Sequence, residues 1–111
     1  MVGLALTALV SLSFKSNELR QLPSTMWELP NLTELNLTHN HFKMLPREIA
    51  KLRKSLQVLS LSMNQLFTLP STFRKLGNLR VLDLSKNTFT QIPKYSLGNL
   101  EKYVLPFTLN P

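Results

Sequence analysis

The side chains that can carry catalysis or hold a metal are few in this chain. It has no cysteine and only two histidines, His39 and His41, so thiol chemistry and a cysteine zinc site are excluded. No third or fourth ligand accompanies the His39-x-His41 pair. No acid–base pair is evident, because the repeat positions of Glu34, Asp83 and His39 are too far apart. The spacing also gives no Ser-His-Asp arrangement. We therefore expect no enzyme activity, no metal site and no cofactor.

Positive charge is the second chemical feature. The chain has 13 Lys and Arg against 6 Asp and Glu, a net charge of +7. Six of the cations fall in two corresponding segments: Arg47, Lys51, Arg53, Lys54, Arg74 and Lys75. A positive patch attracts nucleic acid or an anionic membrane surface. No aromatic platform for stacking bases accompanies it, since Trp27 stands alone. One interpretation is a polyanion-binding module without specific nucleic-acid recognition.

Two patterns bear on the compartment. Asn31 and Asn36 each begin an Asn-Leu-Thr sequence, the acceptor pattern for N-glycosylation, which matters only in a secreted chain. The uncharged segment Met1–Phe14 is too short to span a bilayer, so we expect no transmembrane segment. It also lacks the basic residue that usually begins a secretory signal, because the first charge is Lys15.

These residues are distributed over an internal repeat. Four units begin at Leu9, Leu32, Leu56 and Leu79, so the intervals are 23, 24 and 23 residues. Each unit has apolar residues, an asparagine and a Leu-Pro or Ile-Pro pair at the same spacing: Leu9, Leu12, Phe14, Asn17, Leu19, Leu22-Pro23; Leu32, Leu35, Leu37, Asn40, Phe42, Leu45-Pro46; Leu56, Leu59, Leu61, Asn64, Leu66, Leu69-Pro70; and Leu79, Leu82, Leu84, Asn87, Phe89, Ile92-Pro93. The first three units add two apolar residues in their second half, which gives seven apolar positions per unit: Met26 and Leu29, Ile49 and Leu52, and Phe73 and Leu76.

The spacing predicts one coil of a solenoid per unit. Leu-x-Leu alternation indicates a short strand with both leucines on one side. A single coil cannot bury that side, whereas stacked coils share one core. The recurrent asparagines (Asn17, Asn40, Asn64 and Asn87) are explained as structural, because an amide can pair with backbone groups that a bend leaves unpaired. The proline after each unit's last leucine or isoleucine suits the start of a short helical turn.

The pattern resembles that of the leucine-rich repeat family over Leu9 to about Leu100, with Phe14 where the family usually has Leu. The resemblance implies an α/β solenoid, an arc with a parallel concave sheet and short helical or irregular convex segments. The Leu-Pro version is similar to repeats of intracellular members such as Scribble-type scaffolds, the Ras suppressor protein and plant Ras-group proteins. It implies protein binding, by a scaffold or adaptor in intracellular signalling, and not catalysis. The alternatives are a fragment of an extracellular leucine-rich repeat receptor and the polyanion-binding module.

We expect one domain, residues 1–111, with repeats near 9–31, 32–55, 56–78 and 79–99 and a degenerate fifth at 100–111. In the fifth, Thr108 replaces the asparagine, and Pro106 removes a backbone donor. Met1–Ala8 resembles the tail of a preceding unit. Because solenoids need polar caps and neither end has an evident one, we expect a fragment that is marginally stable alone or associates end to end.

The candidate binding residues lie between and beside the inward leucines, where they face the concave surface. They are Glu34, Asn36, Thr38 and His39 in the second unit, Val58, Ser60, Ser62 and Met63 in the third, and Val81, Asp83, Ser85 and Lys86 in the fourth. Ser11, Ser13, Lys15 and Ser16 correspond to them in the first unit. Val58, Val81 and Met63 form the best apolar patch, but the set lacks the aromatic and Arg anchors typical of binding hot spots. A solvated sheet face without a dedicated partner is the alternative.

Overall fold

Four short strands form one parallel sheet in chain order. The computed structural model describes residues 8–111. Its strands are β1 (Ser11–Ser13), β2 (Glu34–Asn36), β3 (Val58–Ser60) and β4 (Val81–Asp83). The central residue of each strand is the second leucine of its repeat, which points inward while the flanking residues point to the opposite side of the sheet.

The register of the strands follows the sequence period. Leu12 pairs with Leu35, Leu35 with Leu59, and Leu59 with Leu82. The inward leucines therefore form one row through the stack, and those of β2, β3 and β4 are at most 2 % exposed. The predicted α/β solenoid with a shared dry core is confirmed.

The convex side consists of short helical turns, most of them 3-10 helices. Three of these turns are Ser24–Glu28, Arg47–Leu52 and Ser71–Lys75. Pro23, Pro46 and Pro70 directly precede them, with φ values of −56°, −76° and −65°. Proline favours this position because its φ is restricted and its missing N–H would have no partner in the first turn.

The fourth repeat has a different convex segment. Pro93 is followed by a short α-helix, α1 (Lys94–Leu97), which leads into a 3-10 helix, Gly98–Tyr103. Gly98 has φ +53°, and a Cβ there would meet the Arg74 guanidinium at 3.1 Å. The backbone conformation at the junction of the two helices therefore favours glycine, and a larger residue would also require a small shift of the Arg74 side chain.

The second repeat accommodates its additional residue on the convex side. Leu52 and Leu56 are four positions apart, whereas Leu29 and Leu32, like Leu76 and Leu79, are three apart. The backbone N–H groups of Ser55 and Leu56 both donate to the Leu52 carbonyl, at 3.1 and 2.9 Å. The wider turn absorbs the insertion, so the neighbouring strands keep their register.

The core is complete in the two central repeats. All seven apolar positions of the second and third units are buried: Leu32, Leu35, Leu37, Phe42, Leu45, Ile49 and Leu52, and Leu56, Leu59, Leu61, Leu66, Leu69, Phe73 and Leu76. The first unit buries Leu22 and Leu29, while its other five positions are half-buried. Among the described residues this unit has a neighbour on one side only, so less of its apolar surface is covered.

The C-terminal segment covers the end of the fourth repeat without forming a regular fifth strand. Val104 makes a single parallel bridge to Leu82, and the Leu105 N–H donates to the Leu82 carbonyl at 2.8 Å. The Phe107 ring meets Phe89 edge to face, with centroids 5.9 Å apart. Pro106 has no N–H to continue a strand ladder, which accounts for the single bridge.

Asn110 completes this contact. Its backbone N–H donates to the Phe89 carbonyl, and its side-chain amide donates to the Asn87 carbonyl, both at 2.7 Å. The predicted tail of a preceding unit, apart from Ala8, lies outside the described residues, as does the first half of the segment considered as a secretory signal.

Candidate functional site

Buried asparagines hold the bends that follow the strands. The Asn64 side-chain amide donates to the Leu37 and Leu61 carbonyls at 2.9 and 3.1 Å, and its oxygen accepts the Phe42 N–H at 3.1 Å. It thus links its own repeat to the preceding one. Asn40 and Asn87 make the equivalent links. These bonds satisfy backbone groups that the bend removes from the sheet ladder, and they keep the concave surface in a defined shape.

The residue before each asparagine has a left-handed backbone. The φ values are 63° at Ser16, 60° at His39, 59° at Met63 and 54° at Lys86. Such values are uncommon for non-glycine residues and cost roughly 1 kcal/mol or more each. Because the conformation recurs in every repeat, it belongs to the bend of the fold. No residue type in the sequence indicates this conformation, since none of these positions is glycine or asparagine.

The structure brings the candidate residues into columns across the sheet. Ser11, Glu34, Val58 and Val81 form one column, and Ser13, Asn36, Ser60 and Asp83 form the next. Among the residues chosen from the sequence, the exposed ones are Glu34, His39, Met63, Val81 and Lys86. The half-buried ones are Asn36, Thr38, Val58, Ser60, Asp83 and Ser85. Ser62 is buried and is the least accessible member of the set.

Three polar members of the set bind one another. The Asp83 carboxylate accepts the Ser85 N–H at 3.0 Å and the Ser85 hydroxyl at 2.7 Å. The Ser85 hydroxyl also lies 2.9 Å from the Ser62 hydroxyl. With the Ser85 proton directed to the carboxylate, the Ser62 hydroxyl donates to the Ser85 oxygen. Because these groups already have hydrogen-bond partners within the protein, they are less available to bind a ligand than their polar side chains indicate.

A small apolar area lies on the third and fourth repeats. Val58 and Val81 are direct neighbours on β3 and β4. Val81 is 37 % exposed, and Met63, at the bend after β3, is 41 % exposed. We call Val58, Met63 and Val81 the concave apolar patch. It offers a partner apolar contact beside the hydroxyl of Ser60 and the charged side chains of Asp83 and Lys86.

The histidines do not belong to a metal-ligand cluster. His39 Nδ1 lies 3.2 Å from the Ser16 hydroxyl, whereas His41 lines a separate groove. Within residues 8–111, no group of three or more His, Cys, Asp or Glu side chains is arranged to hold a metal ion.

That separate groove was not foreseen from the sequence. It has a volume of about 670 Å³ and lies mainly along the loops and turns of the first two repeats. Leu22, Trp27 and Met44 contribute apolar surface to it, with Arg20 and Lys43 among its basic residues. Trp27 is only 2 % exposed, although the repeat pattern assigned the core position to Met26, which is half-buried. The sequence contains one indication that Trp27 could be buried, since this large aromatic residue directly follows Met26.

The six basic convex residues do not form one cluster, and Lys54 is exposed outside the lining of either groove. Arg47, Lys51, Arg53 and Lys75 line a second groove between two convex turns. The Arg74 guanidinium instead lies over the Tyr95 ring, with its central carbon 5.4 Å from the ring centroid.

The two glycosylation patterns have different surroundings. Asn36 lies in β2 and is half-buried, and its side-chain oxygen accepts the Thr38 N–H at 3.0 Å. Asn31 is exposed in the loop before β2. No helix found in residues 8–111 is both long enough and apolar enough to cross a membrane.

Comparisons with known proteins agree with this architecture. The leucine rich repeat family model matches residues 3–42, 30–89 and 54–103, which together span most of the chain. A solved structure of a leucine-rich repeat protein from Leptospira interrogans is similar, with a TM-score of 0.71 and 29 % sequence identity. The alignment covers 93 % of this chain and 31 % of that protein, so this chain corresponds to about a third of its length. The comparison with curated protein sequences finds no significant match.

Leucine-rich repeats generally serve in protein interaction and are typically non-enzymatic. The register of the four strands and the repeated asparagine bends provide the structural basis for the family match. The chain belongs to the leucine-rich repeat family.

Proposed function

We propose that this chain is a non-catalytic scaffold or adaptor module that binds a protein partner on its concave face in intracellular signalling. The observation that carries the proposal is the concave apolar patch on a sheet whose bends are held by buried asparagines. The candidate binding residues are those chosen from the sequence, with Val58, Met63 and Val81 at the centre and Glu34, Asp83 and Lys86 around them. Ser62 has a supporting role, because it is buried.

Preorganisation is the proposed mechanism. Association costs free energy when loops and side chains must be ordered, and a surface that is already fixed avoids part of that cost. With strands about 4.8 Å apart, the four-stranded sheet is roughly 14 Å wide, enough to contact several residues of an extended segment or one face of a helix. The apolar patch supplies burial, and the charged side chains beside it set the orientation of the partner.

The extracellular receptor fragment is the competing hypothesis. Of its two acceptor asparagines, Asn36 has its amide oxygen bonded to the backbone and lies on the proposed binding face. A glycan at Asn36 would obstruct the concave columns, so the extracellular hypothesis rests on Asn31, which is exposed in the loop before β2. Glycosidase treatment of protein purified from its native source tests this point: a loss of mass would contradict the intracellular proposal.

Charge substitution on the concave apolar patch tests the binding proposal. The double variant Val81→Asp with Met63→Asp changes two exposed side chains, and aspartate tolerates the left-handed backbone at position 63. We expect a partner of the wild-type chain to bind this variant at least tenfold more weakly, because an apolar contact becomes a desolvated charge. Affinity is measured by calorimetry after the partner is identified by cross-linking.

The matched control places the same charges on the convex side. Ser24 and Ser71 are exposed residues of two 3-10 helices, so Ser24→Asp with Ser71→Asp should leave affinity unchanged. Circular dichroism verifies that both variants are folded. A partner that binds both variants as tightly as the wild type would show that the concave face is not the binding surface.

A further inference from the structure

Positive charge is concentrated in one part of this chain. Residues 47–75 contain six Lys or Arg and a single carboxylate, Glu48, so this segment has a net charge of +5 within a total of +7. The concave strands β2 and β4, by contrast, carry the acidic residues Glu34 and Asp83. The excess of cations therefore lies in the central repeats and mainly on their convex side.

The fold places four of these cations around one groove. The groove lies between the 3-10 helices Arg47–Leu52 and Ser71–Lys75, and we call it the basic groove. Its lining consists of Arg47, Glu48, Ala50, Lys51, Arg53, Thr72 and Lys75. The Thr72 hydroxyl donates to the Arg47 carbonyl at 2.9 Å and ties the two walls together. All four cations are exposed, so their charged ends are accessible to a ligand.

Two carboxylates oppose this charge. Glu48 lies in the groove itself. Glu28 Oε1 lies 3.5 Å from Lys51 Nζ, but both side chains are more than half exposed, at 56 % and 52 %. An exposed ion pair of this kind is weak and easily exchanged, so Lys51 remains available to a stronger anion. The basic groove thus keeps an excess of cations over acids.

We propose that the basic groove binds the phosphorylated headgroup of an anionic membrane lipid. Arg forms bidentate hydrogen bonds with phosphate and Lys supplies point charges, which suits several phosphates on one compact group. No aromatic side chain lines the groove. Phe73 lies on one of the two helices that border it, but its side chain is fully buried. The groove therefore lacks the stacking platform that single-stranded nucleic acid uses.

Exposed apolar side chains favour a lipid surface as the source of the phosphates. Met44 and Phe67 are 59 % and 56 % exposed. In the chain they precede the two helices that border the basic groove, and Met44 lines the separate groove of the first two repeats, which shares Glu48 with the basic groove. Apolar side chains beside basic ones are typical of surfaces that insert into the headgroup region of a bilayer. A membrane bound on the convex side leaves the concave face free for a protein.

Vesicle binding tests the proposal. The probe is phosphatidylcholine vesicles with a small fraction of phosphatidylinositol bisphosphate, against pure phosphatidylcholine vesicles. Each cation near an anionic surface contributes about 1 kcal/mol, so Arg47→Gln with Lys75→Gln should weaken binding about 25-fold. Glu48→Gln should strengthen it several-fold, because it removes the opposing carboxylate within the groove. Raising the salt concentration should weaken binding by the wild-type chain.

The control variant separates the groove from overall charge. Lys15→Gln with Lys86→Gln removes the same two charges from the concave side, and it should retain most of the affinity. Equal losses in the two double variants, or no binding to the phosphorylated vesicles, would overturn the proposal. Tighter binding to an RNA oligonucleotide or to a polyglutamate peptide than to the vesicles would also overturn it. Circular dichroism spectra verify the fold of each variant.

Discussion

Three buried asparagines, Asn40, Asn64 and Asn87, join adjacent repeats of the stack. Each side chain replaces backbone partners that two adjacent coils lose at their bends, so one amide joins two repeats. Asn17, in contrast, is exposed, and its amide donates to the Lys15 carbonyl within the same repeat. The same residue type at the same repeat position thus has a different energetic role, depending on what lies beside it.

A matched pair of substitutions tests this difference. Asn64→Ala leaves the Leu37 carbonyl and the Phe42 N–H without their side-chain partner inside the stack. We expect it to lower the free energy of unfolding by about 1–3 kcal/mol. Asn17→Ala should lower it by no more than about 0.5 kcal/mol, the usual range for surface substitutions. Urea denaturation measures both, and equal effects would contradict the bridging role of Asn64.

At the scale of the elements, the strands tolerate changes in length less well than the convex turns do. The three-residue strands must keep their register, because a shift of one residue moves the inward leucines to the opposite face. The convex turns vary in length and in helix type, as the longer Leu52–Leu56 connection and α1 show. Packing on the convex side requires only that each repeat places apolar side chains in the core. Turns of different length and helix type can do this.

Deletion and insertion test this contrast. Deleting Lys54 gives the second repeat the length of its neighbours, and we expect a change of about 1 kcal/mol or less in the free energy of unfolding. Inserting one glycine between Leu59 and Ser60 shifts one end of β3 and should abolish cooperative unfolding, since the following inward residues change face. Circular dichroism and urea denaturation distinguish the two. A deletion as damaging as the insertion would show that the wider turn is required.

At the scale of the whole molecule, stability in a solenoid comes from the contacts between neighbours. A terminal repeat has one such neighbour and is weaker unless its outer face is covered. In this chain, Val104, Phe107 and Asn110 lie over the fourth repeat, and Phe89 beneath them is 2 % exposed. End-to-end self-association stays a proposal, and this covering segment would compete with a second copy for the same edge.

Phe107→Ala should weaken this end of the stack. We expect the free energy of unfolding to fall by about 1–3 kcal/mol, since a half-buried ring and its edge-to-face contact are lost. Thr108→Ala, at an exposed neighbouring position, is the control and should change it by no more than about 0.5 kcal/mol. Trp27 fluorescence reports on the first repeat, so its agreement with circular dichroism shows whether both ends unfold together.

Sedimentation of the same two variants tests the proposal of self-association. If chains associate through the end that Phe107 covers, Phe107→Ala should increase the average mass relative to Thr108→Ala. Unchanged monomers of the wild type and both variants at all concentrations would rule out association at this end.

The repeat, the strand register, the inward leucines and the structural role of Asn40, Asn64 and Asn87 can be predicted from the sequence alone. This is possible because each depends on the period, and the same local pattern occurs four times. Leu35, Leu59 and Leu82 were therefore predicted to align without knowledge of any contact. The polar surface columns followed from the same period, since residues between inward leucines must face the other side.

Which residues are accessible at the surface follows from the packing of the folded chain and not from the repeat. Ser62 is covered and bonded to Ser85, Trp27 enters the interior beside Met26, and Arg74 lies over Tyr95 rather than in the basic groove. These differences depend on contacts between side chains of different repeats or outside the pattern. Such contacts are set by the size and charge of the particular neighbours, which the period does not specify.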